Sequence, residues 1–121
     1  MAFATILPVA IIFGLMHLSN ANATLLGAMN TAVWGVLFGY ACYKTSALWL
    51  PIGIHFGWNV MQPLTGANLS GFTMRVTGYA LHQHAGPWLS GGAYGPEGSV
   101  LATAAAVVLF WKVARLHREG A

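Results

Sequence analysis

Residues 24–43 read TLLGAMNTAVWGVLFGYACY, twenty residues without a charge, closed by Lys44. The hydrocarbon core of a bilayer takes about 20 mostly apolar residues of helix, so this stretch reads as a membrane-crossing helix. Working outward, residues 1–18 (MAFATILPVAIIFGLMHL) form a second such segment, residues 47–64 (ALWLPIGIHFGWNVMQPL) a third, and residues 99–116 a fourth. Residues 65–98 are different: a long glycine-rich connection with Pro87, Pro96 and the run SGGAYG at 90–95. A loop of that length in a short chain either works or packs back on the helices. The expected fold is an all-α integral membrane protein, a bundle of about four transmembrane helices with the long loop before the last.

Composition agrees. Of 121 residues 57% are hydrophobic and only 6% are charged, against about 25% charged in an ordinary soluble domain. That balance excludes disorder and argues against a soluble protein. Asp is absent, and the acids are Glu97 and Glu119. The net charge of +3 reflects that shortage rather than a basic patch, so no nucleic-acid partner is expected. A single cysteine, Cys42, cannot close an internal disulfide and has no metal-ligand spacing.

Alternating helices put Lys44, Lys112, Arg115 and Arg118 on one side and Arg75 on the other. By the positive-inside rule the first group, and with it the C-terminus, is cytoplasmic. Residues 1–18 also admit a signal-peptide reading, since Ala21-Asn22-Ala23 imitates a cleavage site, but the segment lacks a positively charged start. Gly27, Thr31, Gly35 and Gly39 make a small-residue stripe on the second helix. Gly53 and Gly57 do so on the third, and both stripes are expected to be packing faces.

Polar side chains inside membrane helices are expensive and call for an explanation. His17 follows Phe13 by four residues and Asn59 follows His55 by four, so each pair shares a helix face. The first and third helices end on the same side. That places His17 and Asn59 at similar depth, with His55 about 6 Å deeper by helix rise. Two imidazoles and an amide thus have the means to converge on one pocket. The blander reading is that each His donates to a helix carbonyl, and Asn30 reads as a packing hydrogen bond. His82 and His84 belong to the loop, and His117 to a basic interfacial tail. Glu97, beside Pro96 at the start of the fourth helix, reads as a carboxylate settled by the helix dipole rather than as a base.

The segment FGLMHLSN at 13–20, followed by SALWLPIG at 46–53 and HFGWN at 55–59, resembles the CPBP (CAAX protease and bacteriocin-processing, Abi) family of intramembrane endopeptidases. FxxxH and HxxxN are that family's second and third motifs, and the stretch WLSGGAYGPEG at 88–98 is similar to a loop of its bacterial members. The family's first motif, EExxxR, has no counterpart here, because no Glu precedes position 97. The resemblance therefore implies a single membrane domain over 1–121 that forms the C-terminal part of a larger helical protease. It implies His17 as the partner that orients the attacking water, His55 and Asn59 as oxyanion stabilisers, and Phe13 in support.

Further expectations follow from the resemblance. A divalent metal such as zinc would be held by His17 and His55 with a ligand from outside this chain, since catalytic zinc uses three protein ligands. Partners would be membrane lipid, a peptide or prenylated-protein substrate, and the missing N-terminal half or another helical subunit. Localisation would be a bacterial plasma membrane. The competing readings are a catalytically inactive pseudoprotease or immunity subunit, and a haem protein with His17 and His55 as axial ligands.

Overall fold

A computed structural model describes residues 2–116. His117, Arg118 and Glu119, and with them the expectation for the C-terminal tail, lie outside the described residues. The order is α1 (Ala2–Met16), a 3-10 turn (His17–Ser19), α2 (Leu25–Thr45), α3 (Trp49–Leu64), α4 (Pro87–Ser90), two 3-10 turns (Gly92–Tyr94 and Pro96–Gly98) and α5 (Val100–Ala114). Among the described residues there is no strand, only one antiparallel bridge between Leu69 and Phe72. The fold is all-helical.

Local chemistry sets the ends. The Thr24 side chain accepts the Gly27 N–H at 3.0 Å and starts α2, while Ser46 in the left-handed region (φ 53°) stops it. Ser99 does the same for α5, accepting the Ala102 N–H at 3.2 Å. Each cap satisfies a backbone donor that helix geometry leaves unpaired.

Helix α2 is the axis of the molecule, with α1, α3 and α5 packed around it. The α1–α2 seam is antiparallel and backbone-close. A Cβ on Gly14 would lie 2.7 Å from the Ala28 carbonyl oxygen, and one on Gly39 would lie 2.8 Å from Ile6. Small residues permit this approach where lipid supplies no hydrophobic drive. Against α5, α2 buries Trp34, Leu37 and Ala41 with Ala106 and Val113, and Tyr40 stacks on Phe110 at 4.7 Å. Against α3 it sets Trp34 on Trp58 (4.6 Å) and Phe38 on His55 (4.8 Å). The expectation for the α3 stripe is corrected: within 4 Å of where Gly53 and Gly57 would carry a Cβ there is nothing. That face packs against no described part of this chain.

Large apolar side chains point outward. Val9 is 62% exposed, Phe56 68% and Trp49 82%, a surface that water would not tolerate but lipid accepts. Residues Ala2–Ser19 and Leu25–Thr45 are long and apolar enough to cross a membrane. Helices α3 and α5, of 16 and 15 residues, are shorter. At the end of α5 the Arg115 guanidinium sits 3.6 Å from the centre of the Trp111 ring, a cation–π contact suited to an interface.

The 65–98 connection folds back onto the helix ends. Gly71 N–H donates to Tyr94 O at 2.8 Å, Asn68 Nδ2 to Ala93 O at 2.8 Å, and Asn22 Nδ2 to Gly71 O at 3.3 Å. Gly71 (φ +87°) presses so closely on the Ala21 carbonyl that no side chain fits there. The loop is a lid of fixed turns over one end of the bundle.

Candidate active site

Beneath that lid lies a cavity of about 270 Å³ lined by His17, His55, Asn59, Glu97, Ser70 and Thr31, with Phe13, Asn30, Trp34, Phe38 and Trp58 as its walls. The residues singled out at 13, 17, 55 and 59 therefore face one space. Each arrives from a different constraint. His17 stands at the first position of the 3-10 turn that ends α1, where its Nδ1 pairs with the Phe13 carbonyl at 2.7 Å. A carbonyl oxygen can only accept, so Nδ1 carries a proton, and in the neutral ring Nε2 is left as the acceptor. The carbonyl bond thus selects the tautomer that can accept a proton at Nε2.

His55 is gripped by rings. Phe38 stacks on it at 4.8 Å with planes 22° apart, and Phe13 meets it edge-on at 6.1 Å. Phe13 also meets His17 edge-on at 4.7 Å, so one phenyl ring separates and orients both imidazoles. Asn59, one helical turn beyond His55, lines the same cavity with no hydrogen bond to another described residue. An amide without a partner can donate to a charge that develops during a reaction.

The reading of Glu97 is corrected. Helix α5 starts at Val100 and is capped by Ser99, so its N-terminus does not claim the carboxylate. Glu97 instead occupies a 3-10 turn and turns its side chain into the cavity wall. Its Oε1 accepts from Trp58 Nε1 at 3.2 Å and Gln62 Nε2 at 3.3 Å, and its Oε2 from Ser70 Oγ at 2.6 Å. Ser70 and Gln62 carried no sequence signal of this role. Glu97 carried one: it is the sole acid before position 119.

Asn30 holds this arrangement in place. It is 2% exposed; its Nδ2 donates to the carbonyls of Glu97 and Ser99, both at 2.8 Å, and its Oδ1 accepts from Thr103 at 2.6 Å. Membrane side-chain hydrogen bonds average about 0.6 kcal/mol each. Asn30→Ala, which removes three of them, should destabilise the protein by about 2 kcal/mol, read as a lower thermal midpoint in detergent. An unchanged midpoint would refute the clamp.

His82 and His84 are exposed on the loop, away from the cavity. A metal finds no complete set of donors: among the described residues no three His, Cys, Asp or Glu side chains come together to hold one. His17 and His55 alone fall short of the three protein ligands that catalytic zinc uses, and no step below passes through a metal.

Comparison with known proteins adds one finding. A family model described as type II CAAX prenyl endopeptidase, Rce1-like, matches residues 2–61. No curated protein and no solved structure gives a significant match. The matched span takes in Phe13, His17, His55 and Asn59 and stops short of the loop. With both histidine motifs inside that span and facing one cavity, the chain belongs to the Rce1-like, CAAX-protease (CPBP) family.

Proposed function

We propose that this chain carries the His/His/Asn half-site of an intramembrane endopeptidase that hydrolyses a peptide bond of a membrane-held, prenylated protein or peptide. The observation that carries the reading is the cavity shared by His17, His55 and Asn59, side chains from two helices up to 42 residues apart in sequence. In the reaction water adds to the scissile carbonyl, and the carbonyl electron pair moves onto oxygen. His55 and the Asn59 amide supply N–H donors to that oxyanion, while Nε2 of His17 accepts from the water and aligns it. The base supplied by the remainder of the site takes one proton from the water and returns it to the amide nitrogen as collapse of the intermediate breaks the C–N bond, releasing an acid and an amine.

The same reading takes all four long helices as spans of one membrane domain, with α3 and α5 completed by their polar ends. Lys44 at the end of α2 and Lys112 and Arg115 at the end of α5 support a cytoplasmic side there by the positive-inside rule, with the site opening to the other side. A bacterial plasma membrane is the expected home, and the remainder of a longer protease or another helical subunit the expected partner.

The test is cleavage of a quenched-fluorescent peptide bearing a farnesylated Cys-aliphatic-aliphatic-X end, with the protein in liposomes. The wild-type protein, together with the helices that complete the half-site, should cleave it, and Asn59→Ala should lower kcat by about 10²–10³, the usual cost of one oxyanion donor. A wild-type kcat in that variant would remove Asn59 from the site. A second reading, a pseudoprotease that keeps the fold without turnover, is favoured by one observation: none of the first 96 residues is acidic. It predicts no hydrolysis by the wild-type protein under any condition, and His55-dependent hydrolysis would refute it.

A further inference from the structure

Every residue from 72 to 89 except Thr77 is exposed, yet the segment carries one charge, Arg75, and no acid. Tyr79 is 77% exposed and Trp88 64%, and Phe72, Met74, Val76 and Leu81 are about half exposed. An exposed apolar surface of that extent marks an interaction site.

The segment is built inside out. Apolar and polar residues alternate through Phe72-Thr73-Met74-Arg75-Val76-Thr77, and alternate residues of an extended chain point to opposite sides. The threonines hold the protein: Thr73 Oγ donates to Asn68 Oδ1 at 2.9 Å and Thr77 Oγ to the Leu64 carbonyl at 3.3 Å. The apolar members face outward. Farther along, the Leu81 N–H donates to the Gly66 carbonyl at 3.0 Å. Gly66 (φ +78°) lies so close to the Tyr79 carbonyl that no side chain fits there. The segment is thus fastened to the end of α3 and the turn that follows it, with its apolar side chains left outside.

What lies outside at that level follows from α3. Leu64 is the last residue of that helix, and both it and Met61, one turn earlier, are exposed. The outer surface of α3 and the outward face of the segment therefore meet at the Thr77–Leu64 bond. In a bundle that crosses a membrane, the end of a helix marks the headgroup layer. Trp and Tyr are enriched there, because an amphipathic ring suits a layer that is apolar on one side and wet on the other. Arg75, between Met74 and Val76, has a stem long enough to lie on apolar surface while its guanidinium reaches phosphate. Without a carboxylate in the segment, anionic headgroups attract it and nothing in it repels them.

We propose that residues 72–89 are a lipid-binding flap: Phe72, Met74, Val76, Tyr79, Leu81 and Trp88 enter the bilayer interface on the cavity side, and Arg75 engages lipid phosphate. The inference rests on the membrane-spanning reading above and not on the endopeptidase chemistry. Irregular backbone cannot enter hydrocarbon with its N–H and C=O groups unpaired, so the chain stays among the headgroups and only the side chains go deeper. The lid is thereby held on two sides, by its hydrogen bonds to protein and by lipid.

The experiment uses the whole protein in phosphatidylethanolamine–phosphatidylglycerol bilayer nanodiscs, whose two faces are both open to solvent. In a Cys42→Ala background, Phe72→Cys, Val76→Cys and Tyr79→Cys each carry the fluorophore NBD, quenched in turn by aqueous iodide and by lipids with a nitroxide on the headgroup or the upper acyl chain. All three labels should be quenched best by the acyl-chain nitroxide and lie about 5–10 Å below the phosphates, the depth of interfacial apolar faces. Adding Tyr79→Glu to the Val76→Cys protein should abolish that lipid quenching and expose the label to iodide.

Labels quenched by iodide as strongly as free NBD-cysteine place the segment in water and overturn the proposal. Labels shielded from iodide and lipid alike show a protein cover, a second copy or another subunit, and overturn it too. Lipid quenching unchanged by Tyr79→Glu would show that the apolar face does not hold the flap. Should one variant not fold, the remaining positions decide, since each reads the same depth. All these outcomes leave the endopeptidase reading standing. Release of the wild-type protein from liposomes by alkaline carbonate overturns the membrane-spanning reading and this inference with it.

Discussion

His55→Ala should abolish cleavage, by about 10³-fold or more, while the protein still inserts in membranes. Two losses combine. The first is an N–H donor to the oxyanion, by itself about 10²–10³ in rate. The second is geometric, because the imidazole is the surface on which Phe38 stacks and Phe13 rests. Removing the ring frees Phe13, which also orients His17, so both imidazole positions are disturbed by one change. His55→Phe separates the two effects. It restores a ring against Phe38 without a donor, and should recover thermal stability but not turnover. Cleavage at the wild-type rate in either variant would sink the assignment.

The long helices were legible because a membrane span is a matter of composition and length, and both are local. The runs at 24–43 and 99–116 have their counterparts in α2 (Leu25–Thr45) and α5 (Val100–Ala114). The shared cavity was legible for a related reason. On helices of known direction, depth follows from residue count, and the count brings His17, His55 and Asn59 together.

What sequence did not disclose depends on turns. Glu97 reaches the cavity because Gly91 and Gly95 take positive φ and the chain enters α5 through two short 3-10 turns. Proximity to Pro96 and a helix start suggested a dipole-bound carboxylate instead. Ser70 and Tyr94, 24 residues apart in an irregular loop, share no spacing that would join them. The glycine stripes show the limit from the other direction. The one on α2 carries Gly35 and Gly39, which meet Ala10 and Ile6 of α1, whereas Gly53 and Gly57 meet nothing within this chain. Small-residue spacing says that a face can pack closely, not what it packs against.

Gly14→Leu should disrupt the bundle and silence the site together. At residue 14 even a methyl group would lie 2.7 Å from the Ala28 carbonyl oxygen and 2.8 Å from the Ala32 Cβ. The first of these is helix backbone, in the first turn of α2, and cannot step aside as a flexible side chain would. Overpacking of a tight core costs about 1–3 kcal/mol when backbone must shift, and leucine adds three further carbons to the clash. Relief is available only if α1 moves away from α2. His17 lies in the turn three residues beyond the wedge and is bonded across it to Phe13, so separation carries the imidazole out of the cavity. The expected result is a thermal midpoint lowered by several degrees together with a loss of cleavage as deep as that of a His17 substitution. Gly53→Leu is the control, since its Cβ would meet open space. It should leave the midpoint of the solubilised protein unchanged. Equal damage from the two substitutions would show that the α1–α2 seam does not govern the position of His17.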